Sequence, residues 1–231
     1  MTGTRGAQVL ERIGSALLTV AALAIAFVLV RREFFPPDNA SGATAAGPRF
    51  VERWETILAS GIRVGSEGAR ATLVEFVDFE CPFCKRYHET VMRSMRQAFG
   101  DSLAVVYVHF PLSMHRHASA AAHAAECASR QGRFEPFVDA IYNKQDSLGS
   151  RSWNAYAGDA AVADMALFGR CVGSAKSARI DSGLAIGARI GVAGTPSIML
   201  NGWLFRSPPS DTLLARTIRD ALDGRRPFKG D

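Results

Sequence analysis

The sequence predicts an α/β domain in the order βαβ, a run of helices, then ββα, and three stretches predict it. Two apolar runs rich in β-branched and aromatic residues, Ala71–Val77 and Leu103–Phe110, flank a helix-type segment from Cys81 to Phe99. Strand, helix and second strand of these lengths make a βαβ unit with a right-handed crossover. From about 113 to 190 the pattern is helical throughout. Two short strand-type runs then enclose Asn201-Gly202, a strong signal for a type I′ hairpin, ahead of a last helix.

The N-terminal end is of another kind. Ile13 to Val30, IGSALLTVAALAIAFVLV, carries no charge over 18 residues, just enough for a helix that crosses a bilayer. Ala24-Ile25-Ala26 has the form of a signal-peptide cleavage site, but it lies inside the apolar run rather than after it. Residues 1–32 are therefore read as an uncleaved signal-anchor with a single transmembrane helix. Arg5 and Arg12 precede the run and Arg31 and Arg32 follow it, so charge leaves its orientation open. Residues 33–50, rich in Pro, Gly, Ala and Ser, form a linker stiffened locally by Pro36-Pro37.

The folded domain is assigned to 51–231. Trp54, Ile57 and Leu58 stand at helical spacing and give a short helix ending near Gly61. Within the helical stretch the expected elements are 117–130, 134–145, 152–164, 165–172 and 175–190. Pro136 falls in a first turn, where its missing N–H costs little. Strands follow at 197–200 and 203–205. The last helix starts at Ser210 or Asp211 as cap and ends near Leu222, with Gly224 just beyond.

Composition fits a globular protein: 48% hydrophobic and 21% charged residues. The formal net charge of +5 is spread along the chain; from Phe50 onward 22 Lys and Arg face 19 Asp and Glu. Without a basic block interleaved with aromatics, nucleic acid is not an expected partner.

Cys81-Pro82-Phe83-Cys84 carries the chemistry. The strand-to-helix turn puts Cys81 where a new helix presents unpaired N–H groups, and those donors favour a thiolate. Cys84, one turn deeper, is in disulfide reach, so one sulfur can attack and the other resolve. Pro82 and Phe83 add no charge or side-chain donor to the site, while Asp78 and Glu80 oppose the thiolate if they point towards it. Cys81 should be acidic for a thiol without being extreme. A zinc site would need further ligands; His115, His117 and His123 with Cys127 offer a weaker alternative set. Glu75 shares a strand face with Leu73 and Val77, which are apolar, and is either solvated or buried for a purpose. His88, four residues past Cys84, is expected at the surface.

Taken together, Val74-Glu75-Phe76-Val77-Asp78-Phe79-Glu80-Cys81-Pro82-Phe83-Cys84, His109-Phe110-Pro111-Leu112, Ala124-Ala125-Glu126-Cys127 and Gly191-Val192-Ala193-Gly194-Thr195-Pro196-Ser197 resemble, in order, the motifs of the DsbA-like thiol–disulfide oxidoreductases of the thioredoxin superfamily. The resemblance covers about residues 51–223 and implies a thioredoxin fold with a helical insertion at about 113–190. It also implies a buried acid at Glu75 that relays a proton for Cys84, and a cis proline at Pro196 beside the cysteines. The Thr195 backbone would hold the substrate, with Pro82 and Phe83 lining the same contact. No cofactor is implied.

Cys127 and Cys171, 44 positions apart, are either a disulfide worth about 4 kcal/mol by loop entropy or two buried thiols. An oxidising compartment suits the disulfide, and it places the N-terminus in the cytoplasm and the domain outside. The expected protein is a membrane-anchored extracytoplasmic oxidoreductase that oxidises cysteines of exported proteins and is reoxidised by a quinone-linked membrane partner. A reductase of the same fold, or a non-catalytic chaperone or zinc-binding module, is the alternative.

Overall fold

The computed structural model describes residues 47–175 and 177–228. The apolar run at 13–30 and most of the linker lie outside the described residues; among those described, no helix is long and apolar enough to cross a membrane.

Among the described residues, six strands form one mixed sheet in the order β1-β6-β5-β3-β4-β2. They are β1 (Arg49–Phe50), β2 (Ile62–Val64), β3 (Ala71–Val77), β4 (Leu103–His109), β5 (Ser197–Leu200) and β6 (Trp203–Leu204). Only β3 and β4 run parallel, as their helical crossover requires. That crossover is α1 (Pro82–Tyr87), which passes through a π-helical turn at His88–Met92 into α2 (Arg93–Phe99). The insertion contains α3 (Ala118–Ser129), α4 (Phe134–Asn143), α5 (Trp153–Asp159), α6 (Met165–Val172) and α7 (Ala178–Arg189). Closing the chain is α8 (Asp211–Leu222), capped by the Ser210 hydroxyl, which accepts from the Leu213 N–H.

Two strands differ from the sequence reading. β1 uses Arg49–Phe50 from the end of the expected linker, pairing with Trp203 and Leu204, and β2 pairs with β4. Segments of two and three residues carry too little alternation to show period 2, so their pairing is set by the sheet edges that they cover. The hairpin follows expectation: Asn201 and Gly202 have φ of 43° and 88°, the left-handed pair a type I′ turn needs. The Asn201 amide also accepts from the Thr72 N–H at 2.7 Å and donates to the Arg70 carbonyl at 3.0 Å, so the turn is tied to the start of β3.

Strand alternation divides the core in two. Leu73, Val77, Val105, Tyr107, Ile198 and Leu200 face Met92 and Met95, the insertion helices and α8. On the other face, Val74, Phe76, Val106, Val108 and Met199 pack on Ile57 and on Ile186 of α7. Glu126 of α3 joins these parts electrostatically: one carboxylate oxygen lies 3.1 Å from His109 Nε2 of β4, and the other 2.8 Å from Arg179 Nη1 of α7.

Helix α7 crosses β4 at Gly183, where an added Cβ would collide with the His109 carbonyl oxygen and press on Val108. Gly183→Ala should therefore destabilise by about 1–3 kcal/mol through overpacking. Gly169→Ala, in α6 with open space around it, should be neutral or stabilising by up to about 1 kcal/mol. Urea denaturation of the two variants measures both values; equal effects would show that α7 does not approach β4 this closely.

Candidate active site

Strand β3 ends at Val77, and the next four residues set the position of Cys81. The Asp78 carbonyl accepts from the Cys81 N–H at 3.2 Å. Asp78 itself is buried and well bonded: Oδ1 accepts from the Glu80 N–H at 2.8 Å, and Oδ2 accepts from the Leu112 N–H at 2.8 Å and lies 2.7 Å from His115 Nδ1. Glu80 accepts from the His117 N–H at 2.5 Å. Both acids thus brace the loop against the segment after β4, and the concern that they face the cysteine as free charges gives way to that role. Burial would lower the His115 pKa, but the Asp78 hydrogen bond and charge hold it above the ordinary value of 6.5.

Cys81 is the residue before α1, with Pro82 in the first position of the helix, where its ring fits and no N–H is lost. Gln145, from the short 3-10 turn after α4, donates to the Phe79 carbonyl at 2.9 Å and to the Cys81 carbonyl at 3.1 Å. A polar residue at the end of an amphipathic helix gives no sequence signal for this. Only the fold brings it under the cysteine.

Cys81 and Cys84 are free thiols, both buried. The Cys84 S–H is the largest influence on Cys81 and lowers its pKa. Burial opposes this, while the N–H groups of Cys84 and Phe83 and the Thr195 hydroxyl add to it. The result is about 5, against an ordinary 9.0. Cys84 goes the other way: burial first, then its hydrogen bond to Cys81 and the nearby Glu75, raise it well above 9.0. The pair is polarised, with a thiolate outside and a thiol inside.

Beneath Cys84, Glu75 is 1% exposed, and neither carboxylate oxygen has a hydrogen-bond partner among the described residues. Burial alone raises its pKa to about 8, so the acid is mostly protonated at neutral pH. The hydroxyls of Tyr107 and Tyr142 are buried there too, without partners, and burial with the Glu75 charge pushes both phenols up.

Across from Cys81, the Thr195-Pro196 bond is cis, and Cys81 Sγ lies 3.3 Å from the Thr195 carbonyl oxygen. A groove of about 520 Å³ runs along this loop, with Phe83 on its rim, 60% exposed. A larger cavity of about 700 Å³ lies apart from it, between β1 and the C-terminal residues. Glu75, Cys81, Cys84, Thr195, Pro196 and Phe83 therefore meet in one place, with Pro82 opening the helix between the sulfurs.

Cys127 and Cys171 lie elsewhere, joined by a disulfide between α3 and α6 with S–S of 2.06 Å. That bond takes Cys127 out of any histidine-rich ligand set, and His123 Nε2 contacts the Cys171 carbonyl at 3.0 Å. His88 differs from expectation. It is 4% exposed rather than on the surface, with Nε2 at 2.9 Å from Asp139 Oδ1 and its ring against Tyr142. The π-helical turn holds His88 here, and no periodicity in the sequence marks that turn.

A family profile described as thioredoxin matches residues 58–220, well over half of the chain. Among solved structures the chain is similar to BdbD from Bacillus subtilis, at 17% identity over 78% of this chain and 99% of that one, with a TM-score of 0.65. A thioredoxin-like oxidoreductase from Silicibacter pomeroyi gives 23% identity over 75% and 97%, with a TM-score of 0.60. DsbA2 from Pseudomonas aeruginosa gives 26% over 69% and 92%, with a TM-score of 0.55. The chain belongs to the thioredoxin superfamily, as a member of its DsbA-like thiol–disulfide oxidoreductases. Curated relatives carry a different name. The Na(+)/H(+) antiporter NhaA 1 of Mycolicibacterium gilvum is 32% identical over 212 residues, which are 90% of this chain and 33% of that protein. The antiporter NhaA of Herminiimonas arsenicoxydans is 32% identical over 163 residues, 70% of this chain and 25% of that protein. The chain thus spans a third or less of the length of these relatives.

Ionisation of Glu75 should be visible as pH-dependent stability. Its folded pKa of about 8 lies above the ordinary 4.5, so the folded state holds the extra proton and stability is lost as pH rises from about 4.5 to about 8. In the reduced protein the depressed Cys81 pKa has the opposite slope, so the test belongs in the oxidised protein, where Cys81 does not titrate. Between pH 5 and 7.5, Glu75→Gln should gain about 3 kcal/mol on wild type, by urea denaturation. Parallel pH profiles would show Glu75 to be solvated.

Proposed function

We propose that this protein is an extracytoplasmic thiol–disulfide oxidase that inserts disulfides into exported proteins. The observation that carries the reading is the polarised pair: a Cys81 pKa of about 5 beside a Cys84 pKa well above 9.0. A stable Cys81 thiolate stabilises the reduced enzyme, and a stable reduced form makes its disulfide oxidising.

The cycle starts from the Cys81–Cys84 disulfide. A substrate thiolate attacks the Cys81 sulfur, forming a mixed disulfide and expelling Cys84 as a thiolate. Cys84 is the poorer thiolate and takes a proton, for which Glu75, buried and protonated beneath it, is the donor. A second substrate thiolate then attacks the substrate sulfur of the mixed disulfide and releases the Cys81 thiolate. Two substrate thiols end as one disulfide, and two electrons rest on the enzyme. A membrane redox partner, quinone-linked in this proposal, removes them. The Thr195 backbone and Pro196 hold the substrate segment against Cys81, with Phe83 and Pro82 beside it.

The Cys127–Cys171 disulfide supports a domain outside the cytoplasm, and the apolar run at 13–30 supports an anchor. Ion transport is not proposed, since the antiporter name belongs to longer proteins of which this chain matches a third or less.

The full chain equilibrated against glutathione buffers should show a reduction potential nearer about −120 mV than about −270 mV. Cys81→Ser should abolish oxidation of dithiol peptides. A potential near the reducing value would instead make the protein a reductase.

A further inference from the structure

We infer that the groove beside Cys81 selects cysteine-bearing segments that carry an Asp or Glu next to the reacting cysteine. This inference rests on the oxidase reading and adds the substrate class.

The groove is walled by the cis-proline loop and by the chain leaving β6, with Phe83 on its rim. The charged residues lining it are Arg49 and Arg206, and no carboxylate lines it. Neither arginine has an acidic partner within 4.0 Å among the described residues. Arg49 is held in place, because its guanidinium donates to the Ile190 carbonyl of the adjoining segment. Arg206 is exposed and lines the same groove. Beside Phe83, the Arg86 guanidinium lies 5.5 Å from the ring centroid.

An occupant must match an extended wall next to a nucleophilic sulfur, an exposed aromatic ring, and positive charge without counter-charge. A partly unfolded segment with a carboxylate near its cysteine satisfies all three. A segment with Lys or Arg there brings like charges together at the rim, which slows encounter and weakens binding. An exposed Arg–carboxylate contact gains, and a like-charge contact loses, a similar small amount, so exchanging Lys for Asp at one position gives a rate preference of about 2–30-fold.

The test uses the oxidised full chain and three dithiol peptides that differ at one residue beside the first cysteine: Asp, Asn or Lys. Each oxidation rate is divided by the same peptide's rate with 2-hydroxyethyl disulfide, which removes the effect of the neighbour on thiol acidity. Asp should exceed Lys by about 2–30-fold at low salt, with Asn between, and the spread should shrink at high salt as screening sets in. Arg206→Ala should narrow the spread, and Arg206→Glu should narrow it further. Equal normalised rates for the three peptides, with dithiothreitol still oxidised, would overturn this inference and leave the oxidase reading standing. Failure to oxidise dithiothreitol or any peptide would overturn the oxidase reading, and this inference with it.

Discussion

The chemistry of the site depends on two neighbouring sulfurs that the fold has made unequal. Cys84 is fully buried and keeps its proton; Cys81 stands at a helix start and gives its proton up. The S–H of the first stabilises the charge of the second. Remove the inequality and the reduced form loses the stabilisation that makes its disulfide oxidising. Much of what surrounds the pair can be understood as keeping the two environments apart.

The inner environment belongs to the sheet and the insertion together. Glu75 comes from the central strand, and Tyr142 from α4. Their unpartnered oxygens lie in an otherwise apolar core, where each costs free energy that the packing must offset. A protonated carboxyl costs less there than a carboxylate, which fits Glu75 to hold a proton for Cys84. The outer environment belongs to loops. Asp78 and Glu80 spend their charge on backbone N–H groups and His115, so negative charge in sequence proximity to Cys81 becomes loop rigidity. The insertion therefore supplies more than bulk: Gln145 fixes the loop carbonyls on both sides of Glu80.

The parts of this arrangement that were legible in the sequence are those encoded by short-range chemistry. β3 and β4 read clearly because runs dominated by apolar, largely β-branched residues have few alternatives, and Asn201-Gly202 because the turn demands positive φ at both residues. Cys81-Pro82-Phe83-Cys84 stood out by spacing alone. What stayed hidden depends on contacts across the chain. β1 exists because the hairpin offers an edge, and nothing in Arg49-Phe50 announces it. His88 and Gln145 are polar residues buried by partners 51 and 64 positions away or more. The orientation of Asp78 could not be read either, since its three partners come from its own loop and from the segment after β4.

The claim at the centre of this account is that Cys84 lowers the Cys81 pKa. Thiolate absorbance of the reduced protein, followed against pH in wild type and in Cys84→Ala, tests it directly. The account predicts a Cys81 transition at about 5 in wild type and a clearly higher one in the variant, because the S–H donor is gone. A transition that stays at about 5 without Cys84 would assign the acidity to the helix start and Thr195, and would contradict the account.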